Sequence, residues 1–210
     1  LGGLLNDINK LDFKDDMLAY TEWLQRMTAV CGADVRLSTE ATPELVMAEQ
    51  PDAIVVAVGS EPVKPPIPGL DRKNVVSVLD VDSGRVKVSG KVVVCGGGLS
   101  GCESGLQLAM EGCEVTIVDQ IPEDGFASGV MDITRNMLLM LLRDNHVKLV
   151  GGHIVRSVDD AGVHVEGKDW KYQTLEADYV VEAFGMKART AVADQFRYLI
   201  PDVYVVGDAE

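Results

Sequence analysis

A chain of 210 residues with 47% apolar content is long enough to bury a sizeable core as one large or two small domains. Nineteen basic against 33 acidic residues give a net charge of -14, which disfavours nucleic acid and anionic membranes, because both are polyanions. No apolar run is long enough to cross a bilayer and no basic segment followed by an apolar stretch opens the chain, so a cytoplasmic setting without a membrane partner is expected. From Asp15 to Cys31, Met17, Tyr20, Leu24, Met27 and Cys31 recur at helical spacing, and Gly32 supplies a stop. Asp34 to Leu37 reads as a short strand, Thr42 and Pro43 as a cap and first helical residue, and Ala53 to Ala57 as a buried strand. Four prolines between Pro62 and Gly69 then predict an extended connection and a domain boundary.

Beyond that boundary the pattern becomes a strand-helix-strand crossover. Lys91 to Cys95 is an apolar strand, Leu99 to Met110 a helix and Glu114 to Val118 a second strand, an arrangement that predicts parallel, right-handed pairing. Met131 to Asn145 repeats Ile133, Met137, Leu138, Leu141 and Leu142 as a helix and leads to a strand at Val147 to Val150. The period then shortens: Ile154 to Val158, Gly162 to Val165 and Tyr172 to Leu175 predict a three-stranded antiparallel meander with turns at Asp159-Asp160 and Gly167-Lys168. Tyr179 to Ala183 and Val203 to Val206 are the last two strands.

The chemistry begins at Cys95-Gly96-Gly97-Gly98-Leu99-Ser100-Gly101, a G-x-G-x-x-G that closes a strand and opens a helix. Gly96 suits the tight turn, Gly98 lets backbone approach a pyrophosphate, and Gly101 lets helix and strand pack closely. The helix start adds unpaired N–H groups and a partial positive charge, so Gly96, Gly97, Gly98, Leu99, Ser100 and Gly101 are candidate dinucleotide-binding residues. Such a triplet alone also suits a plain connecting turn. The flanking strand and helix, with Asp119 ending the next strand, complete the fingerprint at its spacing of about 20 residues. A carboxylate at Asp119, followed by Gln120, accepts from both ribose hydroxyls and repels a 2'-phosphate. No Lys or Arg stands between Cys113 and Thr134, so NADH is expected over NADPH.

With Glu103 the loop extends to G-x-G-x-x-G-x-E and resembles the NAD(P)H domains nested in flavoproteins of the pyridine nucleotide-disulfide oxidoreductase superfamily. That resemblance implies that Glu103 lies near the nicotinamide, although an acid in a first helical turn also complements the helix dipole unaided. Ala57-Val58-Gly59-Ser60-Glu61-Pro62 is similar to the A-x-G-x-x-P turn by which the superfamily's chain leaves its FAD domain, and Ala183-Phe184-Gly185 repeats it at the return. Val203 to Asp208 is similar to the second FAD motif, which implies that Gly207 and Asp208 meet the flavin's ribityl-phosphate region. Each alone is a strand meeting a turn; their order around one glycine fingerprint argues against coincidence.

More narrowly, Leu1-Gly2-Gly3 before Lys14, with the later motifs, resembles the C-terminal half of NADH:flavin oxidoreductases related to 2,4-dienoyl-CoA reductase and trimethylamine dehydrogenase. The resemblance implies an N-terminal barrel of the same polypeptide, carrying FMN and a 4Fe-4S cluster, upstream of Leu1. The first FAD fingerprint would also precede Leu1, since the chain has a single G-x-G-x-x-G. The start without methionine and the stop after an apolar strand suggest the same, a piece of a longer polypeptide. Met186-Lys187-Ala188 replaces the family's proline-containing second turn.

The expected fold is α/β, a Rossmann-like FAD/NAD(P)-binding architecture: a parallel sheet with the meander, nested in a partial second α/β domain. Residues 1–69 are assigned to a first FAD-type segment, 70–188 to the NAD(P)H domain and 189–210 to a return segment. The function implied is passage of hydride from NADH to FAD, with no catalytic side chain required. Alternatives are an NADH-dependent ferredoxin or rubredoxin reductase without the barrel, and a binding module for NADH or ADP. His146, His153 and His164 lack metal-ligand spacing, and no metal site is expected. Cys31, Cys95, Cys102 and Cys113 form no C-x-x-C pair and are expected as free thiols.

Overall fold

The computed structural model describes residues 1–168 and 170–210. In chain order the helices are α1 (Leu5–Ile8), α2 (Asp15–Val30), α3 (Pro43–Ala48), α4 (Val78–Asp82), α5 (Leu99–Met110), α6 (Asp132–Asp144) and α7 (Thr190–Ala193). The strands are β1 (Ile54–Val56), β2 (Ser60–Pro62), β3 (Val75–Ser77), β4 (Lys91–Cys95), β5 (Glu114–Val118), β6 (Lys148–Val150), β7 (His153–Asp159), β8 (Gly162–Gly167), β9 (Tyr172–Leu175), β10 (Tyr179–Glu182), β11 (Met186–Ala188) and β12 (Val203–Val205). The chain divides into two compact units, one of residues 1–31 and 65–184, the other of residues 32–64 and 185–210. Residues 1–31, assigned from sequence to the same segment as residues 32–69, thus pack with the larger unit. There Asp12 and Lys14 bond to side chains of α5.

The larger unit is a five-stranded parallel sheet in the order β3-β10-β4-β5-β6. Every residue of β4 after Lys91 is buried, as a central parallel strand covered on both faces requires. Alternation of side chains splits it. Val92 and Val94 join Cys102, Leu106, Ile117 and Leu142 in a core beneath the helices, while Val93 and Cys95 join Val163, Val165 and Val180 beneath the meander. Each fully buried valine contributes about 1.5–3 kcal/mol. The meander β7-β8-β9 is antiparallel, as the shortened period predicts. Its second turn runs into residue 169, which lies outside the described residues. In β4-α5-β5 the chain moves to one side of β4, and β10 pairs on the other side, so the order reverses at β4. Ligands of open α/β sheets sit at the carboxyl end of such a switch point.

In the smaller unit β1 pairs parallel with β12, and β2 antiparallel with β11, over a core of Ile54, Val56, Ala193 and Phe196. Thr42 caps α3 by accepting the Leu45 N–H through its hydroxyl at 3.3 Å, with Pro43 in the first turn. The strand expected at Asp34 to Leu37 is absent. That segment is exposed, pairs with no strand among the described residues, and Arg36 is tied instead to Asp34 and Glu49. Pro62, read as the start of a connection, lies in the two-stranded β2-β11 ribbon, where proline is tolerated because no central ladder needs its N–H. In α2 the stripe of Met17, Tyr20 and Met27 is exposed, with Tyr20 stacked on Trp23 at 5.8 Å. No helix is long and apolar enough to cross a membrane among the described residues.

Candidate functional site

The glycine loop leaves β4 at the carboxyl edge of the sheet. Gly96 has φ +134°, a backbone conformation that side chains avoid, and a Cβ on it would strike the Ala183 carbonyl oxygen. A Cβ on Gly101 would strike the Gly96 carbonyl, and one on Gly97 would come within 2.8 Å of the Phe126 ring. Gly98 differs: it is exposed, its φ is -69°, and a Cβ there would meet nothing within 4 Å. Three glycines are therefore demanded by the protein's own packing, and the fourth is not. Gly98 is also the N-cap of α5, no side chain caps that end, and Ser100 is exposed beside it. The first N–H groups of the helix are left for an outside acceptor, and the helix dipole favours an anion there.

Asp119 follows β5 and is bound into the loop. Its Oδ2 accepts the Gly97 N–H at 2.6 Å and its Oδ1 the Ile121 N–H at 3.0 Å, so it is positioned rather than merely solvated. Each carboxylate oxygen keeps capacity to accept another hydrogen bond. Gln120 is exposed next to it. Ala127 donates its N–H to the Gly97 carbonyl at 2.8 Å, and Arg135 holds the Phe126 carbonyl at 2.8 Å and that of Asp124. The loop's geometry is thus fixed from two sides.

Glu103 stands one turn into α5. Its Oε2 accepts from Lys14 Nζ at 2.6 Å, and both side chains are largely buried, at 18% and 11% exposure. Sequence reading singled out both residues without pairing them, since 89 positions separate them. Beyond the ends of β5 and β6 lies a cleft of about 520 Å³ lined by His153, Lys168 and Lys171 as well as Glu123 and Asp124. The His153 N–H donates to the Asp119 carbonyl at 2.9 Å, which places this cleft next to the loop. Scanning only the stretch after Asp119 misses these basic residues, because they come from the meander.

The residues singled out for a flavin are divided. Ala183 belongs with the glycine loop, its N–H on the Cys95 carbonyl at 2.9 Å. In the smaller unit Ala57 is exposed after β1, while Gly59, Gly185 and Gly207 all take positive φ. The Gly59 carbonyl accepts the Arg189 N–H at 3.1 Å and the Gly185 carbonyl the Val63 N–H at 2.9 Å. Ser60, buried, donates its hydroxyl to Asp208 Oδ2 at 3.3 Å. All four cysteines are free; burial pushes the Cys102 thiol up to about 12 and Cys95 higher still, which leaves both unreactive. His164 bridges Asp159 and Thr174 on the meander, His153 bonds the Gly151 carbonyl, and no cluster able to hold a metal occurs among the described residues.

Comparison with known proteins bears on this arrangement. Residues 27–210 match the family described as pyridine nucleotide-disulphide oxidoreductase. The whole chain is 32% identical to an NADH oxidase of Thermoanaerobacter brockii and 30% identical to a cinnamate reductase of Clostridium sporogenes, covering 33% and 31% of those proteins. It also superposes in full on 32% of a 2-naphthoyl-CoA reductase, solved with 2-naphthoyl-CoA, at a TM-score of 0.86 and 30% identity. The chain therefore spans about a third of the length of the relatives it matches.

Proposed function

The chain belongs to the pyridine nucleotide-disulphide oxidoreductase family, and from that premise we propose that it is the NADH-binding part of a flavin-dependent oxidoreductase. The observation that carries this reading is the open space at Gly98 beside three glycines whose space is taken. A connector would need only the crowded three, whereas a pyrophosphate needs the empty one. In this reading the N–H groups at the start of α5 hold the pyrophosphate. Asp119, fixed by Gly97 and Ile121, accepts from the adenosine ribose, with Gln120 beside it. Lys14 holds the Glu103 carboxylate through one oxygen, leaving the other for the carboxamide N–H of the nicotinamide. Bound there, the two cofactors would supply hydride transfer from nicotinamide C4 to flavin N5, and the share of these residues would be alignment and exclusion of water. Ala57, Gly59, Ala183, Gly185, Gly207 and Asp208 are assigned to the flavin side, as the order of their motifs implies.

Whole-chain similarity to an NADH oxidase and two reductases supports the narrower kinship with enzymes related to 2,4-dienoyl-CoA reductase and trimethylamine dehydrogenase. On that kinship an N-terminal barrel of the same polypeptide holds FMN and a 4Fe-4S cluster, and its chemistry chooses the final acceptor. Anaerobic addition of NADH to the full-length, flavin-loaded protein tests the reading. Bleaching of the flavin absorption is expected; NADH binding with an unchanged flavin spectrum would reduce the chain to a binding module.

A further inference from the structure

A second cavity, of about 420 Å³, lies against α5, α4 and the segment joining α1 to α2, wholly within the larger unit. Two of its lining groups are polar and more than nine-tenths buried, and they face each other. Asp82, the last residue of α4, meets the Ser104 hydroxyl of α5, and beyond each other Asp82 Oδ1 and that hydroxyl have no hydrogen-bond partner among the described residues. A buried carboxylate is ordinarily paired with a cation, so one that is met only by a hydroxyl, in no ion pair among the described residues, and that faces a cavity points to a missing occupant. The walls between are apolar: Leu11, Val81, Val88 and Leu108. At the exposed rim Lys10 and Lys87 form no ion pair among the described residues. The rim acids Asp12 and Glu111 both accept from Gln107 Nε2, at 3.0 and 2.8 Å, which orients them and leaves their charge in place. The cavity thus offers a buried carboxylate without a cation inside, apolar sides, and at its rim two lysine ammoniums in no ion pair among the described residues.

We propose that this cavity binds a small amino carboxylate, its ammonium group on Asp82 and Ser104, its carboxylate between Lys10 and Lys87, and a short apolar chain along the walls. Other ligand classes fit worse. A simple anion meets the Asp82 carboxylate, an apolar molecule leaves that carboxylate without a cation, and a metal ion finds no cluster of three acidic, histidine or cysteine side chains among the described residues. Binding is also coupled to protons. Burial pushes the Asp82 carboxyl up to about 6, with Ser104 and Lys14 opposing and Glu103 adding to the rise. Lys10, Asp12, Lys87 and Glu111 are the remaining charged groups lining the cavity. An ammonium favours the ionised carboxylate, so binding near pH 6 expels a proton.

The test is calorimetric titration of the chain with 6-aminohexanoate, 4-aminobutyrate and L-valine, against hexanoate and hexylamine as probes carrying one charge. At least one amino carboxylate is expected to bind saturably and about tenfold or more tighter than either single-charge probe. At pH 6 its apparent heat should vary with buffer ionisation enthalpy in the sense of proton release. Asp82→Asn and the exposed rim variant Lys87→Ala should each weaken it about tenfold or more, while NADH binding by the Lys87→Ala protein stays unchanged as a control on folding. Absence of binding by all three amino carboxylates, equal binding of a single-charge probe, or wild-type affinity in a folded Lys87→Ala protein would each overturn the proposal.

Discussion

Asp82 and Gly101 show how single residues decide between burial and function. The Asp82 carboxyl rises from an ordinary 3.8 to about 6, so the folded state holds its proton more tightly than the unfolded chain. Stability of the native protein therefore falls as pH rises from about 4 through about 6, and the loss persists above it. Asp82→Asn removes the ionisable group at constant shape. It should raise the unfolding free energy at pH 8 by at most about 3 kcal/mol, the ceiling set by a shift of about two pH units, and the gain should vanish near pH 4. Urea denaturation of both proteins across this range reads the difference; an equal gain at pH 4 would show that titration is not its cause. At Gly101 the crowding is by backbone, which cannot move aside. Gly101→Ala should cost about 1–3 kcal/mol in the same assay, since the Gly96 carbonyl must shift to admit a methyl group.

Among the elements, the start of α5 and the end of β5 together set cofactor preference in the proposed reading. On that reading Asp119 would meet a 2'-phosphate with negative charge, and the basic Lys168 and Lys171 share their cleft with the acidic Glu123 and Asp124. NADH should consequently bind at least about tenfold more tightly than NADPH in parallel titrations; equal affinities would remove Asp119 from the ribose role. The strand-helix-strand crossover was legible from sequence because its periods are long and unmixed: β4, α5 and β5 lie where Val92 to Val94, the glycine triplet and Val115 to Val118 point. β3 and α4 were not legible. Val75 to Val81 is one short apolar run shared between a three-residue strand and a five-residue helix, and periodicity cannot divide so few residues. The β2-β11 ribbon escaped for another reason: its partners are remote in sequence, and Pro62 argued against any strand. Within the site, the glycines and Asp119 were readable as local pattern, whereas the Lys14–Glu103 pair and the basic cleft exist only through tertiary packing.

For the molecule as a whole, the question is which cofactor the chain holds by itself. One glycine turn opens a helix of full length here, and it carries the NADH pattern with Glu103 and Asp119. The smaller unit supplies turns at Gly59, Gly185 and Gly207 and the Ser60–Asp208 pair, but its helices α3 and α7 have six and four residues and neither follows a glycine triplet. No second glycine turn opening a full-length helix occurs among the described residues, so on the proposed reading the purified chain should carry no stoichiometric FAD by absorption. The dinucleotide should bind nonetheless. Its most direct measurement is calorimetric titration of NADH into the native chain and into Gly98→Val, with thermal melting of both. The site at Gly98 predicts one NADH per native chain, affinity weakened at least about a hundredfold in Gly98→Val, and a cooperative melt lowered only by the cost of a poorer N-cap, about 1 kcal/mol, because a Cβ at this position meets no protein atom within 4 Å. Undiminished NADH affinity in a folded Gly98→Val protein would contradict it and leave the glycine loop a connector.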